Sequence, residues 1–456
     1  MQIPRHRSVR RCPVTPWEEV FDEVAELAFS RLGSDEVLNL NFCAEDTRFL
    51  RFNRSRVRQV SAVAQATLEL ELVIGQKHES HTINLSRNSA LNRAAVLDTL
   101  GTLQAVVPTL PDDPYVSALE HHGTSRVVNT GQLPAPEDVL AFVAAELQDI
   151  DLAGLFMAGP VHRANANSLG QRHWFSASSF VFDYSLYSAR QKAVKGAYGG
   201  ADFDPATLRA VIGDSLQALE VMDRERKVLA PGKYRCYLAP AAVHEIMGML
   251  NWHALSAGAH RRGECSLTEL VDGTRMLSPK FTLDEDYSLG LSPRFNERGE
   301  VFAEKLPLIV DGRLENLFVS SQTAKEYGLP SNFASEDEAP RSPVIATGTL
   351  ARQDILSELD TGLYLSNLHY LNWSDKTRGR VTGMTRFGCL WVENGEVVGP
   401  IADLRFDETL YHLFGTGLLE LTDFTESHVE VMTYDQRHVG GKRAPGMLVQ
   451  DMSFTL

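Results

Sequence analysis

The chain of 456 residues is short of the features that mark several specialised protein classes. Its few cysteines are odd in number and form no CxxC pair, which argues against a disulfide scaffold and favours reduced thiols. No apolar run reaches the ~20 residues that a membrane span needs. The basic N-terminal segment also lacks the apolar core of a signal peptide. We therefore expect a cytoplasmic protein with no membrane partner.

Positive charge is also in deficit. The 44 Lys and Arg residues face 59 Asp and Glu residues, which gives a net charge of −15 and argues against non-specific binding to nucleic acid or anionic lipid. No GxSxG segment is present, and GAYGG at 196–200 has neither the GxGxxG spacing nor a Walker lysine. The most basic stretch of the body, 48–60, holds five arginines, and a solvated edge strand with its turn explains it.

What is present is a clear alternation of helical and strand periodicities. Apolar residues at helical spacing predict a helix over 17–32, and the period-two stretch from Gln65 predicts a strand. Further helices are expected from Ser89 and from Asp204, with these two residues as N-caps, and from Pro136. The pattern predicts an α+β protein: an N-terminal α/β region of helix–antiparallel sheet–helix units, followed by a β-rich C-terminal domain.

The expected domain limits follow the changes in pattern. They are an N-terminal arm at 1–16, the α/β region at 17–227 with two subdomains split near 115–135, and the β-rich domain at 228–456. Within the last domain, Asp311-Gly312 and Asn394-Gly395 predict hairpin turns. The polar, acidic segment from Ser331 to Val344 predicts an exposed loop.

A possible catalytic motif is His244 followed by Glu245, which is how many zinc peptidases begin their metal-binding helix. The HExxH pattern fails because position 248 is glycine, and position 249 is methionine, whose thioether is a poor ligand for zinc. A continuous helix over 241–258 would direct His253 and His260 away from His244. Spacing alone therefore favours polar residues on a half-buried helix over a metal site.

Three other segments carry a family resemblance. TRFGCLWVENGEVVGPIADLRFDETLYHLFG at 385–415, LDTGLYLSNLHYLNWSDKTRGRV at 359–381 and KLPLIVDGRLENLFVSSQTAKEYGL at 305–329 resemble segments of the TldD/TldE (PmbA) family of peptidase-related proteins. HEIMGM at 244–249 is similar to the family's HExxGH. The C-terminal segment DQRHVGGKRAPGMLVQDMSF, 435–454, keeps the family's Gly-Lys but has no cysteine.

The resemblance implies a function and a departure from it. In TldD-type subunits two histidines and a late cysteine hold zinc, whereas here Met249 replaces the second histidine. The chain thus resembles the TldE-type, non-catalytic subunit of a heterodimeric zinc metallopeptidase that acts on unfolded or precursor peptides. We expect no metal on this chain alone, zinc in a TldD-like partner, and a cytoplasmic dimer.

Two alternatives stay open at this stage. In the first alternative, the chain is a metal-dependent peptidase in its own right, with His244 as ligand and Glu245 as general base. Its further ligands are then drawn from the remaining histidines: His253, His260, His369 and His438. Otherwise it is a non-enzymatic peptide-binding homodimer. In either case the strand edges at 366–396 are expected to bind peptide through four residues: Asn367, His369, Arg386 and Cys389.

Overall fold

The structure, a computed structural model, describes residues 15–190 and 192–455. Helix accounts for 25% of the chain and strand for 41%, with the sheet concentrated in the C-terminal region, which confirms the predicted α+β class. Most of the predicted N-terminal arm lies outside the described residues. Within them, no helix is both long and apolar enough to cross a membrane.

The helices of the described residues range from 4 to 18 residues, and most begin at proline or after a capping side chain. They are α1 Pro16–Phe29, α2 Ser89–Val106, α3 Pro136–Glu146, α4 Pro205–Met222, α5 Pro240–Gly248, α6 Ala257–Arg262, α7 Thr268–Val271, α8 Ser321–Tyr327 and α9 Ile355–Leu359.

The strands of the first half of the chain are long and those of the second half mostly short. They are β1 Val37–Asn53, β2 Arg56–Ile74, β3 Lys77–Leu85, β4 Thr124–Asn129, β5 Asp151–Asn167, β6 Arg172–Tyr187, β7 Ala193–Gly200, β8 Gly232–Leu238, β9 Leu283–Asp286, β10 Lys305–Val310, β11 Arg313–Leu314, β12 Pro343–Ile345, β13 Gly362–Leu365, β14 Leu368–Asp375, β15 Arg380–Thr385, β16 Leu390–Glu393, β17 Glu396–Pro400, β18 Arg405–Thr409, β19 Leu418–Val429 and β20 Gly441–Phe454.

Contacts between residues divide the chain into two units. Of the described residues, the first unit comprises 15–44, Gln65–Asn129 and His162–Ser176, and the second comprises Glu45–Ala64, Thr130–Val161, 177–190 and 192–455. The predicted limits at 17–227 and 228–456 stay predictions. One sheet has the strand order β3-β2-β1-β5-β6-β4, with β7 added to β6, and its long strands contribute residues to both units.

The first unit has an aromatic core under α1 and α2. Phe42 of β1 lies 5.3 Å from Phe21 and 6.0 Å from Trp174, measured between ring centroids. The predicted serine cap of α2 is wrong by one residue, because Asn88 accepts the hydrogen bond from the Leu91 amide. Either residue type can cap a helix, so the pair Asn88-Ser89 did not decide the position from sequence.

The second unit is built on a sheet with the strand order β11-β10-β9-β12-β20-β8-β13-β16-β17, to which β14, β15, β18 and β19 are joined at the side. Both predicted hairpin turns are confirmed, at 311–312 and at 394–395, each with two consecutive residues at positive φ. Asp204 caps α4 as predicted and accepts from the amides of Ala206 and Thr207.

The predicted exposed loop that begins at Ser331 is partly buried. Glu338 is 3% exposed, and its carboxylate accepts from the Ser256 hydroxyl, the Gly258 amide and the Ser320 amide. These donors lie at the N-termini of α6 and α8, where a carboxylate satisfies amides that have no intrahelical partner. The acidic composition of the segment suggested solvent exposure, whereas this acid serves as an internal cap.

Candidate functional site

Helix α5 carries the HE motif in the second unit. Its first residue is Pro240, which is compatible with the first helical position, and the helix ends at Gly248. A 3-10 turn follows, His253 adopts a φ of 69°, and Ser256 caps the next helix. The predicted continuous helix over 241–258 is therefore wrong. Its apolar periodicity continues across the break because both pieces pack on the same core.

His244 is 5% exposed and is engaged by the neighbouring strand β19. Its Nε2 lies 3.1 Å from the carbonyl oxygen of Glu426, and its ring centroid lies 5.4 Å from that of His428. Burial, together with His428 and the Lys442 ammonium, lowers the pKa of His244 to about 3. The imidazole is consequently neutral at physiological pH, with Nε2 as the donor to the carbonyl.

A lysine lies beside the motif on β20. A Cβ atom placed on Gly248 would be 3.8 Å from Nζ of Lys442, so this ammonium lies against the last turn of α5. Burial lowers the pKa of Lys442, while the carboxylates of Glu430 and Glu245 raise it. In turn, burial and the Lys442 charge lower the pKa of His428 to about 4. The cluster of His244, His428 and Lys442 thus contains a cation of its own.

Zinc does not fit this arrangement. Met249, at the position where the family has its second histidine, is 4% exposed and packs in the main hydrophobic core. The Lys442 ammonium close to His244 would repel a divalent ion. Across the described ranges, no group of three or more His, Cys, Asp or Glu side chains could hold a metal ion.

The remaining candidate ligands are engaged elsewhere. His253 Nδ1 lies 3.1 Å from the Lys376 ammonium, and His260 Nε2 lies 2.9 Å from a carboxylate oxygen of Asp272. The His369 ring lies 4.1 Å from that of Tyr370. His438 is exposed, and its backbone amide donates to the Met432 carbonyl. The structure therefore brings none of these histidines into contact with His244, and the nearest imidazole is one that sequence reasoning overlooked, His428.

A cavity of about 490 Å³ opens beside the N-terminal half of α5 in the second unit. Its apolar lining includes Tyr237, Tyr364 and Phe424, and its polar lining includes Arg352 and Lys195. The guanidinium carbon of Arg352 lies 4.0 Å from the centroid of the Phe424 ring. A mixed lining of this size suits a short stretch of polypeptide with an apolar side chain.

Two unpaired strand edges border the cavity. Among the described residues, strand β7 pairs with β6 alone, and its residues 194–197 line the cavity. Strand β19 pairs with β20 along its length, and its residues 426–428 line the cavity as well. Along this stretch the Glu430 amide donates to the Gly440 carbonyl, so in the alternating ladder the backbone polar groups of Glu426 face β20 and those of Ser427 face the open edge.

The four residues predicted to bind peptide are placed differently. Asn367 lines the cavity, and Cys389 lies just behind it at 3% exposure, with Sγ 3.5 Å from the Asn367 carbonyl oxygen. Burial raises the pKa of the Cys389 thiol to about 11, which suits a packing role. His369 and the exposed Arg386 do not line the cavity, and Arg386 lies over the Phe387 ring at 5.3 Å. Their role in peptide binding stays a prediction.

Comparison with known proteins finds a family match in the C-terminal part of the chain. Residues 231–456 match the family model described as the PmbA/TldA metallopeptidase C-terminal domain. No curated protein matches the chain in sequence.

Three crystal structures share the fold. A proposed modulator of a DNA gyrase from Thermotoga maritima is 14% identical, with a TM-score of 0.72 and coverage of 96% of this chain and 100% of that one. Another proposed modulator of DNA gyrase, from Bacteroides thetaiotaomicron, is 13% identical, with a TM-score of 0.73 and coverage of 97% and 100%. TldE from Thermococcus kodakarensis is 15% identical, with a TM-score of 0.71 and the same coverage. With the match of its C-terminal half to the family model and the HE helix in place, the chain belongs to the TldD/TldE (PmbA) family.

Proposed function

We propose that this chain is a TldE-like subunit that holds an unfolded or precursor peptide while a TldD-like partner supplies the zinc chemistry. The observation that carries the proposal is the replacement of metal ligands by other groups around α5. Met249 is part of the core, and the Lys442 ammonium lies beside the helix. The two neutral imidazoles there, His244 and His428, have no third metal ligand beside them among the described residues, and two imidazoles next to an ammonium cannot retain a divalent ion.

The cavity supports the peptide-holding part of the proposal. An extended peptide can add to a free strand edge through main-chain hydrogen bonds, and such bonds do not depend on the side chains of the peptide. The edges of β7 and β19 both offer such groups at the cavity. The rings of Tyr237 and Phe424 then provide an apolar surface for one side chain of the peptide.

Metal analysis and complex formation test the subunit role. We expect the purified chain to contain less than about one zinc ion per ten molecules and to cleave no peptide. Mixed with a TldD-type chain that carries an intact HExxxH, it should form a complex of both chains that cleaves. Stoichiometric zinc that is lost on His244→Ala would refute the proposal in favour of a peptidase in its own right. A stable homodimer that forms no complex with the TldD-type chain would favour a peptide-binding scaffold.

The strand edge is tested separately with two substitutions at one position. Ser427→Pro removes the backbone N–H at the cavity edge together with the hydroxyl, whereas Ser427→Ala removes only the hydroxyl. We expect fluorescence anisotropy with an unstructured, labelled 15-residue peptide to show at least tenfold weaker binding to the proline variant alone. Equal binding by both variants would mean that the β19 edge does not pair with peptide.

A further inference from the structure

A second free edge lies far along the chain from the HE motif, in residues 56–64 of β2, which we call the basic edge. Strand β2 lies between β1 and β3 in the sheet, but β3 pairs with it only from Ala66 onward. Residues 56–64 therefore have β1 on one side and no strand on the other within the described parts of the chain. At about 3.3 Å per residue the basic edge is roughly 30 Å long.

The faces of the basic edge are also largely open, although Gln59 and Ser61 line a shallow depression with Leu155 and Thr433. Its residues are exposed or half-buried throughout, in contrast to the continuation of the same strand, where Ala66, Leu68 and Leu70 are buried. Val57 is 43% exposed and Val60 is 67% exposed. Apolar, β-branched residues at both faces of an unpaired strand favour pairing with another strand.

The charge of this region is of one sign. No acidic residue occurs between Asp46 and Glu69, while the same stretch contains five arginines. Those at and around the basic edge are exposed and take part in no ion pair with any described residue: Arg51, Arg54, Arg56 and Arg58. On a chain of net charge −15, a hairpin end with four unneutralised guanidinium groups, two of them on the basic edge itself, is an exception to the general surface.

We propose that the basic edge is a docking surface for an acidic, extended strand of another protein chain. Main-chain hydrogen bonds would join the strands, and carboxylates of the partner would face the guanidinium groups across the new pair. A second copy of this chain is a poor occupant, because it would bring the same arginines to the pair and leave them unneutralised. This inference does not depend on the proposed peptidase role.

Two synthetic decapeptides serve as probes in fluorescence anisotropy. One has five repeats of Thr-Glu and the other five repeats of Thr-Lys, both acetylated and amidated. We expect the acidic probe to bind at least tenfold more tightly than the basic probe at low salt. N-methylation of alternate backbone amides of the acidic probe keeps its charge but prevents strand pairing, and should abolish binding. Retained binding by the methylated probe would overturn the proposal, since it would reveal charge attraction alone.

Charge reversal locates the site. The triple variant Arg54→Glu, Arg56→Glu and Arg58→Glu should bind the acidic probe at least tenfold more weakly and gain affinity for the basic probe. A matched triple variant, Arg226→Glu, Arg261→Glu and Arg313→Glu, changes the net charge equally at exposed positions and should behave as the parent chain. Failure of the parent chain to bind the acidic probe would show that the arginines only protect the edge from aggregation. A salt-insensitive dimer lost only in the first variant would instead identify a second copy as the occupant.

Discussion

Replacing Arg437 by methionine should destabilise the second unit strongly. The side chain is 1% exposed, and its guanidinium donates to the Gly159 carbonyl at 3.0 Å and to the Ser179 carbonyl at 3.1 Å. It also donates to the Ser179 hydroxyl at 2.7 Å. Burial lowers the pKa of Arg437 to about 10, so the group is charged at neutral pH while the Glu45 carboxylate opposes this shift.

The magnitude follows from what methionine leaves behind. It fills a similar volume but donates no hydrogen bond, so two buried carbonyls lose a charged donor and the buried Glu45 loses its counter-charge. Removal of one partner from such a buried arrangement costs about 3–5 kcal/mol. Urea unfolding followed by tryptophan fluorescence measures this change in the free energy of unfolding.

The control for this experiment is Arg378→Met, at a side chain that is 80% exposed and 3.7 Å from the Asp375 carboxylate. Exposed pairs of this kind contribute little, and we expect a change within about 0.5 kcal/mol. If Arg437→Met also stays within about 0.5 kcal/mol of the parent chain, the structure assigns the wrong environment to this guanidinium.

Three further outcomes are expected. Lys442→Met should raise the pKa of His428, because the ammonium lowers it, and histidine NMR titration measures the shift; an unchanged pKa would contradict the placement of Lys442. Met249→His alone should recruit no zinc in elemental analysis and should lower the unfolding free energy, because a polar ring would enter the core. The pKa of His244 is about 3 in the folded chain against 6.5 in the unfolded chain, so the free energy of unfolding should fall as the pH drops from about 6.5 toward 3. The His244→Gln variant should show a smaller fall. Identical pH profiles for the two chains would count against a buried, neutral imidazole.

Local chemistry accounts for the parts of the fold that the sequence predicts well. The period-two run from Gln65, the Asp-Gly and Asn-Gly turns and the Asp204 cap all act through neighbours within a few residues of the chain. The end of α5 was not predictable in the same way. Both sides of the break pack on one core, so the apolar spacing does not reveal it.

The candidate site was only partly predictable for a related reason. The loss of a second histidine at Met249 is visible in the sequence. The proximity of Lys442 and His428 to His244 is not, because it depends on β19 and β20 being neighbours in the sheet. The cavity likewise needs β7 and β19, which are distant in the chain. The composition of the segment from Ser331 to Val344 placed Glu338 in an exposed loop, whereas its carboxylate is buried and accepts three hydrogen bonds.

The environment of Arg437 has a consequence for synthesis. Its backbone amide donates to the carboxylate of Glu45, a residue 392 positions earlier in the chain. At about 5–20 residues per second, a ribosome needs on the order of 20 to 80 seconds to make the intervening polypeptide. During that interval the β1–β2 hairpin has not yet met Arg437, and its arginines and the basic edge are accessible to chaperones.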